Sequence, residues 1–174
     1  MVVITGPVGA GKTTSIESLA ELLDQRGEPV AAVDVDALRR VWPDDPSDPF
    51  HAGLGIANLA AIWPRFAQQG VRWLLLADVV EQPGQRADYE SAIPGADVII
   101  VRLEVPLDRV HKRLRGRESG DSLQWHLHRS GELQHLMVER AIGDIVIAVD
   151  DHGPAAVAQL IFTALRATTG SRPA

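Results

Sequence analysis

Apolar residues fall into two patterns along this chain, short unbroken blocks and regularly spaced stripes. The blocks are Val2-Val3-Ile4, Val30–Val33, Trp73–Ala77, Val98–Val101 and Ile145–Val149. A short continuous apolar run reads as a strand covered on both faces, as in a parallel sheet. The stripes keep helical spacing: Ile16, Leu19, Ala20 and Leu23; Leu59, Ile62, Trp63 and Phe66; Leu107, Val110 and Leu114; Val157, Leu160, Ile161, Ala164 and Leu165. A short helix is predicted between Gln85 and Ile93, stopped by Pro94-Gly95, and a longer one from about Ser122 to Ile142. Gly27 and Gly70 suit helix ends, and Pro106 suits a first helical position. Pro64 falls inside a stripe and predicts a kink or a division. Two stretches leave the rhythm. From Leu38 to Leu54, Pro43, Pro46 and Pro49 alternate with Asp44, Asp45 and Asp48, which predicts an irregular, exposed excursion. Thr168 to Ala174 carries no packing signal and predicts a frayed end.

Strand blocks alternating with helical stripes predict an α/β fold, an open parallel sheet with helices on both faces. Ligands of such sheets bind beyond the carboxyl ends of the strands, so the residues following each block carry the candidate chemistry. After the first block stands Gly6-Pro-Val-Gly-Ala-Gly-Lys-Thr-Thr14, which fits G-x-x-x-x-G-K-[ST] between a strand and a helix. The glycines leave backbone N–H groups free to converge on phosphate oxygens, and the helix N-terminus adds to the anion site. Gly6, Val8, Gly9, Ala10, Gly11, Lys12, Thr13 and Thr14 are therefore the expected nucleotide-binding set. By the mechanics of this loop, Lys12 reaches the β- and γ-phosphates and Thr13 ligates Mg²⁺.

The second block runs into Asp34-Val35-Asp36-Ala37-Leu38-Arg39. Asp36 could simply cap a helix starting at Ala37. The functional reading has Asp36 orient and deprotonate an acceptor hydroxyl while Asp34 serves the metal, although the residues alone allow the roles to be exchanged. Arg39 would hold a polar or anionic part of the acceptor, and Trp42, in the irregular segment, is a further acceptor contact. The third block ends at Asp78, a hydrophobic strand followed by a carboxylate that could hold Mg²⁺ through water, which makes Thr13, Asp34 and Asp78 the expected metal set. Arg109, His111, Lys112, Arg113, Arg115 and Arg117 form a basic cluster. The breaks at Gly116 and Gly120 predict a mobile lid over 113–130, with Arg113 and Arg117 catalytic, Arg113 also touching nucleotide, and Arg129 contacting the acceptor. His126 and His128 stand two apart, a spacing that does not converge on a zinc ion. After the fifth block, Asp150-Asp151-His152-Gly153-Pro154 reads as a turn leading into a helix and, in nucleotide-binding folds of this type, as an edge of the purine site.

Composition narrows the classes. The 174 residues, 45% hydrophobic and 23% charged, suit one globular domain, 1–174. A net charge of −6 argues against nucleic acid as the main partner. Cysteine is absent, so a disulfide framework is excluded and a cytoplasmic protein is expected. The first block begins at residue 2, leaving no room for a signal peptide, and no apolar run approaches a membrane span.

With these residues in place, the chain resembles the P-loop small-molecule kinases, the superfamily of shikimate, gluconate, adenylylsulfate and chloramphenicol kinases. Asp34 to Arg39 is similar to the Asp-Gly-Asp-x-x-Arg of adenylylsulfate kinases and the Asp-x-Asp of shikimate kinases, with Val35 in place of the glycine. Arg113–Arg117 looks like their lid. Val33 to Pro43 also resembles the Val-Asp-x-Asp-x-Leu-Arg and Trp-Pro stretches of small actinobacterial ATPases. The resemblance implies a five-stranded sheet in order 2-3-1-4-5, ATP and Mg²⁺ as cofactors, an acceptor-binding region at 37–70 and transfer of the γ-phosphate to a hydroxyl of a small molecule. A monomer or homodimer is expected. The alternative class is a nucleotide-dependent switch or regulatory ATPase; neither an Asn-Lys-x-Asp nor a Leu-Ser-Gly-Gly-Gln motif is present to support it.

Overall fold

Each apolar block becomes a strand. In the computed structural model, which describes residues 1–43, 46–149 and 151–170, β1 (Val2–Thr5), β2 (Val30–Asp34), β3 (Trp73–Ala77), β4 (Ile99–Glu104) and β5 (Ile145–Ala148) form one sheet. The order is β2-β3-β1-β4-β5 and every pairing is parallel. Asp44 and Asp45 of the excursion, Asp150 of the last turn and the chain end at 171–174 lie outside the described residues.

Alternation along the strands splits the apolar side chains between two layers. Val2 and Ile4 of β1 and Leu75 and Ala77 of β3 join Ile16, Leu19 and Leu23 of α1 (Lys12–Asp24) in one core. Helices α5 (Leu107–Arg117) and α7 (Pro154–Gly170) complete that face through Val110, Leu114, Val157 and Ile161. Val3, Leu74, Leu76 and Ile100 point the other way. They pack with Leu59 of α3 (Ala52–Gln68), Tyr89 of α4 (Arg86–Ala92) and Leu133 and Met137 of α6 (Gly120–Glu139). The one-turn helix α2 (Val35–Leu38) leaves the end of β2 directly. Among the described residues, no helix is long and apolar enough to cross a membrane.

Several local expectations are overturned. α3 runs unbroken through Pro64 and begins at Ala52, inside the stretch read as irregular. Leu59 is fully buried, and Trp63 and Phe66 pack on the same core, so tertiary contacts on both sides of the proline hold the helix together. Gly116 does not interrupt α5 either; Val110 and Leu114 are fully buried and anchor it through Arg117. α7 continues past Thr168 to Gly170. β4 is longer than its apolar block, because Arg102 lies along the sheet with its Nε donating to the Ile142 carbonyl at 2.9 Å.

Gly143, between α6 and β5, has a φ of +105°, and a Cβ there would stand 2.9 Å from Arg102 Cβ and 3.1 Å from the Ile145 carbonyl. Gly143→Ala combines a left-handed backbone with a clash against the sheet. We expect a loss of about 2–3 kcal/mol in urea unfolding, and an unchanged midpoint would contradict this account.

Candidate active site

β1 ends in the glycine loop, which delivers the chain into α1 with Gly11 as the N-cap at φ +97°. A side chain would be strained there, and the same holds at Gly9, with φ +84°. Gly9 also lies against α5: an added Cβ would stand 3.2 Å from both Leu114 Cγ and Val110 Cγ1. The loop borders a cavity of about 440 Å³ at the carboxyl end of the sheet. Val8 to Ser15, Asp34, Asp36, Val79, Arg113 and Arg117 line it, together with Val149, His152, Pro154 and Val157. Of the expected nucleotide set, Gly6 alone is set back from this lining, packed under the loop with its Cβ position 3.1 Å from the Leu103 carbonyl.

Lys12 turns back over the loop, its Nζ donating to the carbonyls of Gly6 at 3.1 Å and Pro7 at 3.4 Å. Burial lowers its pKa, and the carboxylates of Asp36, Asp78 and Asp34 pull the other way. Thr13 Oγ1 donates to Asp34 Oδ2 at 2.7 Å. The other oxygen of Asp34 accepts from the Asp36 N–H at 3.0 Å and caps α2. Capping thus falls to Asp34 rather than Asp36, since the helix starts at Val35.

Asp36 is left half-exposed, and it accepts from Arg39, whose Nε lies 3.0 Å away and whose Nη2 also donates to it. The same Nη2 lies 3.2 Å from Asp78 Oδ1. Burial opposes the Arg39 charge, but Asp78 and Asp36 together raise its pKa. Asp78 is buried, and both its oxygens are engaged. Oδ1 accepts from the Val79 N–H at 2.7 Å, and Oδ2 accepts from the Tyr89 hydroxyl at 2.7 Å. Burial raises the Asp78 carboxyl pKa against the opposing pull of Arg39, Tyr89 and the Val79 amide. Burial, with Asp78 alongside, also pushes the Tyr89 hydroxyl far up. Asp78 does not line the cavity. A chain of contacts therefore runs Tyr89–Asp78–Arg39–Asp36, from the core to the cavity.

The two expected lid arginines differ in their attachments. Arg113 Nη1 donates to the carbonyls of Ala10 at 3.0 Å and Gly9 at 3.3 Å, and Arg117 Nε donates to Glu118 at 2.9 Å. Both belong to the continuous helix α5 rather than to a broken segment. Arg129 is on α6, ion-paired with Glu81 and 3.5 Å from Glu132, and its guanidinium lies over the Phe50 ring at 5.8 Å. Trp42 is 74% exposed. Neither Trp42 nor Arg129 borders the cavity. His126 and His128 hold Glu118 and Glu132 respectively, at 2.5 and 3.0 Å.

Sequence reasoning missed Tyr89 and Glu81. Tyr89 is the sole tyrosine of the chain, and its position on a short helix gave no sign that it faces a carboxylate eleven residues earlier.

No family model matches the chain, and no curated protein matches it by sequence. Solved structures do match in three dimensions. The tunicamycin resistance protein of Deinococcus radiodurans superposes with a TM-score of 0.64 at 22% identity, covering 94% of this chain and 94% of its own. A gluconokinase from Sinorhizobium meliloti 1021 gives 0.61 at 22% identity, covering 98% and 97%. The shikimate kinase of Acinetobacter baumannii, in complex with shikimate, gives 0.59 at 18% identity, covering 96% and 93%. The chain has the α/β fold of the P-loop small-molecule kinases.

Proposed function

We propose that this chain is an ATP- and Mg²⁺-dependent phosphotransferase acting on a hydroxyl of a small molecule. The observation that carries the reading is the pairing of Thr13 Oγ1 with Asp34 Oδ2 at 2.7 Å, at the mouth of a phosphate loop whose cavity also holds Asp36. Two converging hard oxygens suit Mg²⁺, which binds through one or two protein oxygens and fills its remaining positions with phosphate and water. Thr13 and Asp34 would hold the metal, which supplies neutralisation of the phosphate charge. Asp78, buried, engaged by Tyr89, the Val79 N–H and Arg39 and set back from the cavity, supports Arg39 in this reading and leaves direct ligation of the metal to Thr13 and Asp34.

The remaining roles follow from position. The loop amides and Lys12 cradle the phosphates, with Lys12 leaving the Gly6 carbonyl to do so. Val149, His152, Pro154 and Val157 give the cavity the largely apolar end that a purine ring needs. Asp36, exposed at the other end, orients the acceptor hydroxyl and takes its proton. Arg113 and Arg117 reach the transferring group from α5, and residues 113–130 serve as the lid. Residues 37–70 form the acceptor side.

The test is ATP-dependent gain of one phosphate by members of a hydroxyl-compound panel, followed by mass spectrometry. Lys12→Ala is expected to abolish the gain and to weaken ATP binding by at least about ten-fold. ATP hydrolysis that responds to a protein partner and to no small alcohol would instead favour the regulatory ATPase.

A further inference from the structure

Arg113 and Arg117 both line the cavity, one helical turn apart on the same side of α5. They are held differently. Arg113 is fastened to the phosphate loop itself, through the carbonyls of Gly9 and Ala10. Arg117 is bonded, among the described residues, through its inner Nε alone, which donates to Glu118 Oε1 at 2.9 Å. Gripped there, the guanidinium keeps both terminal nitrogens for another ligand, the fork that pairs with phosphate oxygens.

Glu118 follows α5 with an extended backbone, and its side chain is tied to the next helix. Oε2 faces His126 Nδ1 at 2.5 Å and accepts from the Ser122 hydroxyl at 3.4 Å, both on α6. Burial pushes the Glu118 carboxyl up, but the hydrogen bonds from His126 and Arg117 hold it below its ordinary range. The group is therefore an anion, and His126 Nδ1 is the donor. Leu123 and Leu127 seat this end of α6 on the core. One carboxylate thus refers the Arg117 guanidinium to the body of the protein.

An ion pair between two exposed neighbours holds little by itself. Here the Glu118 side chain is 15% exposed against 56% for Arg117, and the covered anion has two further contacts that fix its plane. We propose, on the basis of the kinase reading, that Glu118 is the positioning residue for Arg117. Fixed from α6 by His126 and Ser122, it holds the guanidinium by Nε so that the terminal nitrogens meet the phosphoryl group in transfer.

The experiment uses the full chain and MgADP, with and without aluminium fluoride, an anionic mimic of the transferring group. Calorimetry gives the tightening of MgADP that the fluoride adds, a readout that needs no acceptor. Glu118→Ala is expected to lose at least about ten-fold of that tightening, with affinity for MgADP alone within about two-fold of the parent. Arg117→Ala should lose at least as much, and the double variant no more than Arg117→Ala, because the two residues act as one unit. Glu118→Gln, which keeps the size of the side chain but not its charge, should lose about three-fold. Arg115→Ala removes an exposed cation from another side of α5 and should change nothing. Parental tightening in either Glu118 variant, additive losses in the double variant, equal weakening of MgADP alone, or no tightening in the parent would each overturn the assignment. The kinase reading fails separately, if the tightening follows these expectations but no alcohol of the panel gains phosphate.

Discussion

Asp36→Asn is expected to lower acceptor-dependent turnover by about 10³-fold while ATP affinity stays within about three-fold. Asparagine keeps the size of the side chain and one acceptor for Arg39, so the arm from β2 should hold its shape. What disappears is the negative charge that the proposed role as base requires, and Asp36 is the half-exposed carboxylate of the Asp36–Arg39–Asp78 set that borders the cavity. Steady-state kinetics at saturating acceptor, with nucleotide affinity measured alongside, separates the two quantities. A mutant that no longer binds ATP would place Asp36 in the nucleotide site and remove it as the acceptor base.

The second large effect is on stability. Arg39→Met leaves Asp78 buried with Tyr89 and the Val79 amide but without a cation. Breaking one side of a buried pair costs about 3–5 kcal/mol. The pH dependence gives the effect a signature. Burial already raises the Asp78 carboxyl above its ordinary value of 3.8, and removal of Arg39 raises it further. A carboxyl whose folded pKa exceeds its unfolded one stabilises the fold fully below the unfolded value. That contribution is lost as pH rises through the folded value. The urea midpoint of Arg39→Met should therefore fall, relative to the parent, as pH climbs above about 4. Adding Asp78→Asn removes the stranded charge, so the double variant should regain most of the loss and show a flatter pH profile. An Arg39→Met protein as stable as the parent at pH 7 would show that Asp78 does not depend on Arg39.

How much of this was legible in sequence depended on the range of the interaction involved. The strands were readable because blocks such as Leu74–Leu76 must be covered on both faces, and the sheet order follows from the phosphate-loop resemblance. That Asp34 and Asp36 stand by the loop was also legible, since all follow strands at the carboxyl edge of one sheet, but which of the two pairs with Thr13 was not. Helix continuity was not. Pro64 and Gly116 are local breakers, and local signals cannot report that Trp63, Phe66, Val110 and Leu114 hold their helices from the core. The surroundings of Asp78 were not legible for a similar reason. A carboxylate after a hydrophobic strand looks the same in sequence whether it faces a metal or a tyrosine eleven residues on, and only packing placed Tyr89 against it. Arg129 was singled out as a cation, but its neutralisation by Glu81 depends on a contact across 48 residues.

The contact between Gly9 and α5 has a consequence for how such a chain can diverge. With Val110 and Leu114 standing 3.2 Å from where a Cβ of Gly9 would be, these two aliphatic side chains gauge the curvature of the phosphate loop from beneath. A bulkier residue at either position would press the loop toward the cavity, and a smaller one would let it sag. The shape of the loop can therefore drift through the underside of a helix, at residues that do not border the cavity.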